Sequence, residues 1–248
     1  MAGLTNKIAL VTGASRGIGQ AAARSLAEEG ARVLVHYGRG REEAELLVSE
    51  IRGTGGYAEA ISADLAAPDG AHILAEKVRK IVDGMLDILV ANAGISKSVP
   101  IEGLTVEDFD RLFAVNVRAP YFLVQQLLPV LGEGSHVIFV SSATARFAVG
   151  TVAAYAATKG AINTLVKHFA AALGPRGIRV NAVAPGVVDT EMSNFAHTES
   201  GRQLTLSMQA LKRLATPDDL GGVFAFLASD AARWITGHTI AVDGGSKL

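Results

Sequence analysis

The sequence has no cysteine, one tryptophan and seven prolines among its 248 residues. Without cysteine, disulfides, thiolate nucleophiles and Cys-ligated metals are excluded, so any chemistry rests on other side chains or on a cofactor. Basic excess is also missing. Twenty-three Lys and Arg balance 24 Asp and Glu, a net charge of −1 that offers no positive field to nucleic acid or to an anionic membrane. No apolar run reaches bilayer length, and Met1 to Lys7 shows no basic segment leading into an apolar core. The expectation is a cytoplasmic protein with small-molecule ligands. No Pro/Ser-rich or charge-dense linker divides the chain, so residues 1–248 read as one domain. What is abundant is apolar residues, 49%, and glycine, 27 residues, a composition suited to a parallel sheet buried on both faces.

Lys7–Thr12 is a short β-rich run, followed by Gly13-Ala-Ser-Arg-Gly17-Ile-Gly19 and then by helical composition from Gln20 to Glu29. Strand, glycine turn, helix is the context of a phosphate loop. Glycines let backbone approach a pyrophosphate, and the free amides of a helix N-terminus face the anion. Gly13, Gly17 and Gly19, with Ser15, Arg16 and Ile18 between them, are therefore candidate cofactor contacts. The spacing Gly-x-x-x-Gly-x-Gly differs from the commonest dinucleotide fingerprint, and no Gly-Lys-Ser/Thr marks a nucleotide triphosphatase.

A second strand, 31–37, ends in Tyr37, Gly38 and Arg39. An acid at that end would bind the ribose hydroxyls of NAD, whereas an arginine pairs with the 2′-phosphate of NADP. Arg39, supported by Arg16, favours NADP(H) over NAD(H), which remains possible; Arg41 reads equally as a solvated loop residue. A third strand, 57–61, leads to Asp64 and Leu65 at the ligand edge, where Asp64 either accepts from adenine or opens a loop. The fourth, 86–91, runs into Asn92-Ala93-Gly94, with Asn92 either a cofactor contact or a structural tie between strands.

Tyr155 and Lys159 stand four residues apart in helical sequence, so one turn places them on one face. At about 5 Å and an effective dielectric near 20, Coulomb's law favours the tyrosinate by roughly 3 kcal/mol. That corresponds to about 2 pK units below the usual value near 10, which would allow proton exchange near neutral pH; the same spacing also reads as a packed ring beside a solvated amine.

Thr12-Gly-Ala-Ser-Arg-Gly-Ile-Gly19, Asn92-Ala-Gly94, Tyr155-x-x-x-Lys159 and Asp243-Gly-Gly245, in this order, resemble the short-chain dehydrogenase/reductase family over nearly the whole chain. The pattern is similar to that of 3-oxoacyl-[acyl-carrier-protein] reductase-like members. Ala91 departs from it, at a position where the family often has a second asparagine. The resemblance implies a Rossmann-type α/β fold, a doubly wound, seven-stranded parallel sheet with helices on both faces, in a homotetramer or dimer. It implies Ser142, thirteen residues before Tyr155, as the serine that holds the substrate carbonyl, although its neighbour Ser141 ends the same strand. It gives Lys159 the nicotinamide ribose and makes Asn116 the asparagine that keeps a proton-relaying water. Pro185, Gly186, Val188 and Thr190 resemble the segment beside the carboxamide. A substrate lid at about 192–213 follows, in which Phe195, Met208 and Leu211 either line an apolar pocket or pack the lid down. The implied reaction is hydride transfer between nicotinamide and a carbonyl or secondary alcohol, with Tyr155 as general acid/base.

Three other readings compete. Reduction of 3-oxoacyl groups on an acyl carrier protein is weakened by a single cation, Arg118, in the helix 117–131. A non-catalytic NADP-binding regulator would not need the reacting set. An epimerase or dehydratase sharing the Tyr/Lys pair needs a larger C-terminal domain.

Overall fold

The computed structural model describes residues 3–248; Met1 and Ala2, which open the N-terminal segment considered above, lie outside them. Seven strands form one parallel sheet: β1 Ile8–Val11, β2 Arg32–Tyr37, β3 Tyr57–Ser62, β4 Ile88–Ala91, β5 His136–Val140, β6 Arg179–Pro185 and β7 Thr239–Val242. Their order is β3-β2-β1-β4-β5-β6-β7. The strands are apolar on both faces because both faces are covered. Leu10, Leu34, Leu89 and Phe139 point into one core with Leu74, Leu123 and Val166 of the helices α3 Gly70–Ile81, α5 Ala119–Leu127 and α6 Ala153–Leu173. Their neighbours Val11, Val35, Val90 and Ile138 point the other way. There they meet Leu26, Leu47 and Phe224 of α1 Gly17–Glu28, α2 Arg41–Gly53 and α8 Asp218–Ala228. The expected doubly wound sheet is therefore present.

β1 is flanked by β2 on one side and β4 on the other, so the chain reverses its direction of travel beside β1. A crevice opens at such a switch point, outside the carboxyl ends of the strands. Since every strand is parallel, the turns after β1, β2, β4, β5 and β6 all reach that one edge. Three local differences from the expected elements matter. α1 begins at Gly17, inside the glycine motif rather than after it. The helical stretch opened by α4 Val106–Phe113, whose Thr105 hydroxyl accepts from Asp108 N–H at 3.1 Å, continues as a π-turn over Ala114–Arg118 before α5. Trp234 to Gly237, strand-like in composition, lies outside β7.

Candidate active site

The glycine turn is shaped by approaches that only a missing side chain permits. Gly13 and Gly17 hold φ of +63° and +57°, in the left-handed region. Gly19 is constrained by space instead, because a Cβ there would lie 2.3 Å from Gly13 O and 2.4 Å from Asn92 Nδ2. Asn92 explains the closeness: its Nδ2 donates to Thr12 O at 2.9 Å and to Gly13 O at 3.0 Å. In return the Thr12 hydroxyl accepts from the amides of Asn92 and Ala93, both at 3.0 Å. Both amide protons of Asn92 are thus spent on tying β4 to the turn, the structural alternative of its two readings. Arg16, at the N-cap of α1, gives no side-chain cap, and the first turn carries no acid. The leading amides of a twelve-residue helix are left to an anion.

His36 fixes the turn from the other side and was not singled out in the sequence. Gly13 N–H donates to its Nδ1 at 3.1 Å, so the hydrogen sits on Nε2, which faces Ala63 O at 3.1 Å. Burial pushes this imidazole down to about 4, which keeps it neutral and keeps Nδ1 an acceptor. At the end of β2, Tyr37 is half-buried and Gly38 and Arg39 are exposed. Neither Arg39 nor Arg41 has a carboxylate within ion-pair distance among the described residues, whereas Arg16 Nη1 lies 2.9 Å from Glu191 Oε2. After β3, Asp64 is exposed and its Oδ1 accepts from Ala66 N–H at 2.9 Å, while Leu65 is buried in the core. Glycines against the pyrophosphate, uncapped amides and an arginine in place of an acid suit a dinucleotide carrying a 2′-phosphate.

The candidate reacting groups gather at the ends of β5 and α6. Ser141 donates to Asn163 Oδ1 at 2.6 Å, so its proton goes to anchoring α6. Ser142 Oγ accepts from the amide and from the hydroxyl of Thr144, at 3.2 and 3.0 Å. Two accepted bonds leave the single proton of Ser142 uncommitted to Thr144. Thr144 is a second contributor absent from the sequence reading.

The expected depression of the Tyr155 pKa is not found. Burial pushes the phenol up, and the hydrogen bond from Ser142 only partly opposes it. Lys159 Nζ sits 5.6 Å from the tyrosine ring centroid and donates to Val140 O at 2.8 Å. It too is buried, and desolvation pulls it down to about 8. Proximity alone favours the tyrosinate, but removing both groups from water costs more than that attraction returns.

Asn116 lies in the π-turn. Its Oδ1 accepts from Ile95 N–H at 2.9 Å, and its Nδ2 donates to Ile95 O at 2.9 Å and to Thr158 Oγ1 at 3.1 Å. The side chain is therefore committed to the segment after Gly94. A Cβ on Gly94 would come within 3.3 Å of Asn116 Oδ1 and 3.6 Å of Lys159 Nζ, which places Gly94, Asn116 and Lys159 together.

The family model described as enoyl-(acyl carrier protein) reductase matches residues 13–247. The chain belongs to the short-chain dehydrogenase/reductase family. Versicolorin reductase 1 of Aspergillus parasiticus is 41% identical over 98% of this chain and 97% of its own. A short-chain dehydrogenase/reductase of Pestalotiopsis microspora is 39% identical over 98% and 96%. Among solved structures, the angucycline C-6 ketoreductase LanV with bound NADP superposes with a TM-score of 0.94 at 41% identity, covering 100% of this chain and 98% of that one.

In this short-chain dehydrogenase/reductase the segment expected to form a lid contains two helical pieces, a 3-10 segment Glu191–His197 and α7 Glu199–Met208. Phe195 and Leu211 are about half exposed or more, at 49% and 60%, so they do not pack the segment down, whereas Met208 is half-buried. Pro185 ends β6. A Cβ on Gly186 would lie 2.9 Å from the Cα of Asp243; Val188 is buried, bridging to Ala215; and Thr190 Cγ2 comes within 3.3 Å of where a Cβ on Gly17 would lie. A cavity of about 670 Å³ lies elsewhere, lined by Lys7, His136, Arg179 and Trp234 among others.

Proposed function

We propose that the chain is an NADP-dependent ketoreductase that moves hydride between nicotinamide and a carbonyl or secondary alcohol, with Tyr155 as general acid/base. The observation that carries this is Ser142, its oxygen already accepting two bonds from Thr144, beside a buried and protonated Tyr155, at the same sheet edge as a glycine turn suited to a pyrophosphate. The names of the relatives, a versicolorin reductase and a ketoreductase with bound NADP, support the direction and the cofactor.

When bound, the reduced nicotinamide supplies the hydride. Ser142 Oγ–H and Tyr155 Oη–H hold the substrate oxygen, and the phenol gives up its proton as that oxygen gains negative charge. A phenol whose pKa is raised stays protonated at neutral pH, the form a reductase requires at the start. The tyrosinate left behind is stabilised by Ser142 and by Lys159, whose own value near 8 lets it supply a proton close to neutrality. Asn116 positions this lysine by fixing Ile95 and Thr158 around it. Gly13, Gly17 and Gly19 receive the pyrophosphate, with Arg16 and Arg39 toward the 2′-phosphate. The acyl-carrier reading gains nothing further, since the guanidinium of Arg118 is engaged with Ala66 O at 2.6 Å.

The test is NADPH consumption against a panel of ketones and 3-oxoacyl thioesters, with wild type and Tyr155→Phe. Ketones are expected to be reduced, and the variant to lose at least about 10²-fold in turnover while NADPH affinity stays within about twofold. Appreciable turnover by Tyr155→Phe would refute its role, and a preference for thioesters would favour the carrier reading.

A further inference from the structure

Arg16 is the one cation of the phosphate turn that already has a partner. Its guanidinium meets Glu191, the first residue of the lid, at 2.9 Å, and both side chains are about two-thirds exposed, at 67% and 70%. Next to them, Thr190 lies against Gly17, so the start of the lid rests on the turn itself. The neighbouring acid, Asp189, is occupied by His197 at 3.0 Å. We propose that Glu191 is a cofactor-discriminating residue: it is the counter-ion that a 2′-phosphate must displace to engage Arg16, so it weakens binding of the phosphorylated dinucleotide selectively.

The physical basis is competition for one guanidinium. A phosphate dianion outbids a carboxylate for bidentate contact, but the carboxylate's share is subtracted from the binding free energy. NADH makes no such demand on Arg16, and loses only through the general repulsion between Glu191 and its pyrophosphate. The selective part therefore shows in the ratio of the two affinities.

This rests on the reading of Arg16 as facing the 2′-phosphate, and the experiment separates the two. NADPH and NADH are titrated by nucleotide fluorescence into the wild-type chain, Glu191→Gln, Arg16→Gln and the double variant. Both positions are exposed, so the substitutions leave the fold in place, which circular dichroism checks. Glu191→Gln is expected to tighten NADPH by roughly two- to fivefold more than NADH, the scale of an exposed ion pair. In the Arg16→Gln background that selective gain should vanish. Equal effects on both nucleotides in Glu191→Gln, with Arg16→Gln still weakening NADPH selectively, would overturn the role of Glu191 and leave Arg16 standing. An unchanged ratio in Arg16→Gln would overturn both.

Discussion

Lys159 and Tyr155 lie one helical turn apart, yet the ammonium is bound to Val140 O and stands over the ring rather than settling the phenol's acidity. The same balance of burial against partners governs His36. Its imidazole is 1% exposed and titrates near 4, against 6.5 when unfolded. Between those values the unfolded chain binds a proton that the folded chain refuses, so stability falls as pH drops from 6.5 toward 4. The loss attributable to His36 reaches about 2 kcal/mol at pH 5, from 1.36 kcal/mol per unit. His136, pushed down to about 3, adds a loss of the same sign from the opposite edge of the sheet. Urea unfolding at pH 7 and pH 5 should show a smaller acid loss in His36→Gln than in wild type. Equal losses would mean that the imidazole does not carry the effect.

At the scale of elements, the turn between β1 and α1 depends on two kinds of glycine. Gly19→Ala drives a Cβ into Gly13 O and Asn92 Nδ2, so the turn must open or the asparagine must leave. It is expected to weaken NADPH at least about tenfold and to lower the unfolding midpoint, as for a lost buried hydrogen-bond pair. Gly160→Ala, where a Cβ meets nothing within 4 Å in the middle of α6, should instead stabilise by about 0.5–1 kcal/mol. Comparing the two by thermal unfolding and nucleotide fluorescence checks the distinction; a harmless Gly19→Ala would refute it. The strand, glycine turn and helix were legible in the sequence because each rests on chemistry within a few residues. The π-turn holding Asn116 was not, since the residues around it carry ordinary helical composition and the wider turn shows only once Ile95 and Thr158 are in place. Nor were His36 and Thr144. An apolar strand with one histidine near its end carries no mark that Gly13 and Ala63, 23 and 27 residues away, will converge on it.

Across the whole molecule, the segment after Ser142 and the segment 208–213 are joined by the last residues of the chain. Asp243 pairs with Arg146 of the segment after Ser142, and its Oδ1 accepts from Gly245 N–H at 3.0 Å, folding the tail back. The tail then meets the lid: Leu211 N–H donates to Gly244 O at 2.9 Å, and Lys247 N–H to Met208 O at 2.7 Å. Lys247 closes the circuit, donating from Nζ to Ala148 O at 2.9 Å while standing 4.9 Å from the Phe147 ring centroid. These bonds tie the tail to both segments, and local opening of either segment has to break them. Truncation after Ser246 removes both Lys247 hydrogen bonds and the cation–π contact but leaves Asp243 and its turn intact. At about 1 kcal/mol per bond, opening of residues 146–150 and 208–213 should become roughly tenfold more frequent. Amide hydrogen exchange would register this as faster exchange confined to those two stretches, with protection in β1 and β4 unchanged. Exchange accelerated in only one stretch would show that the tail serves that segment alone and does not couple the two.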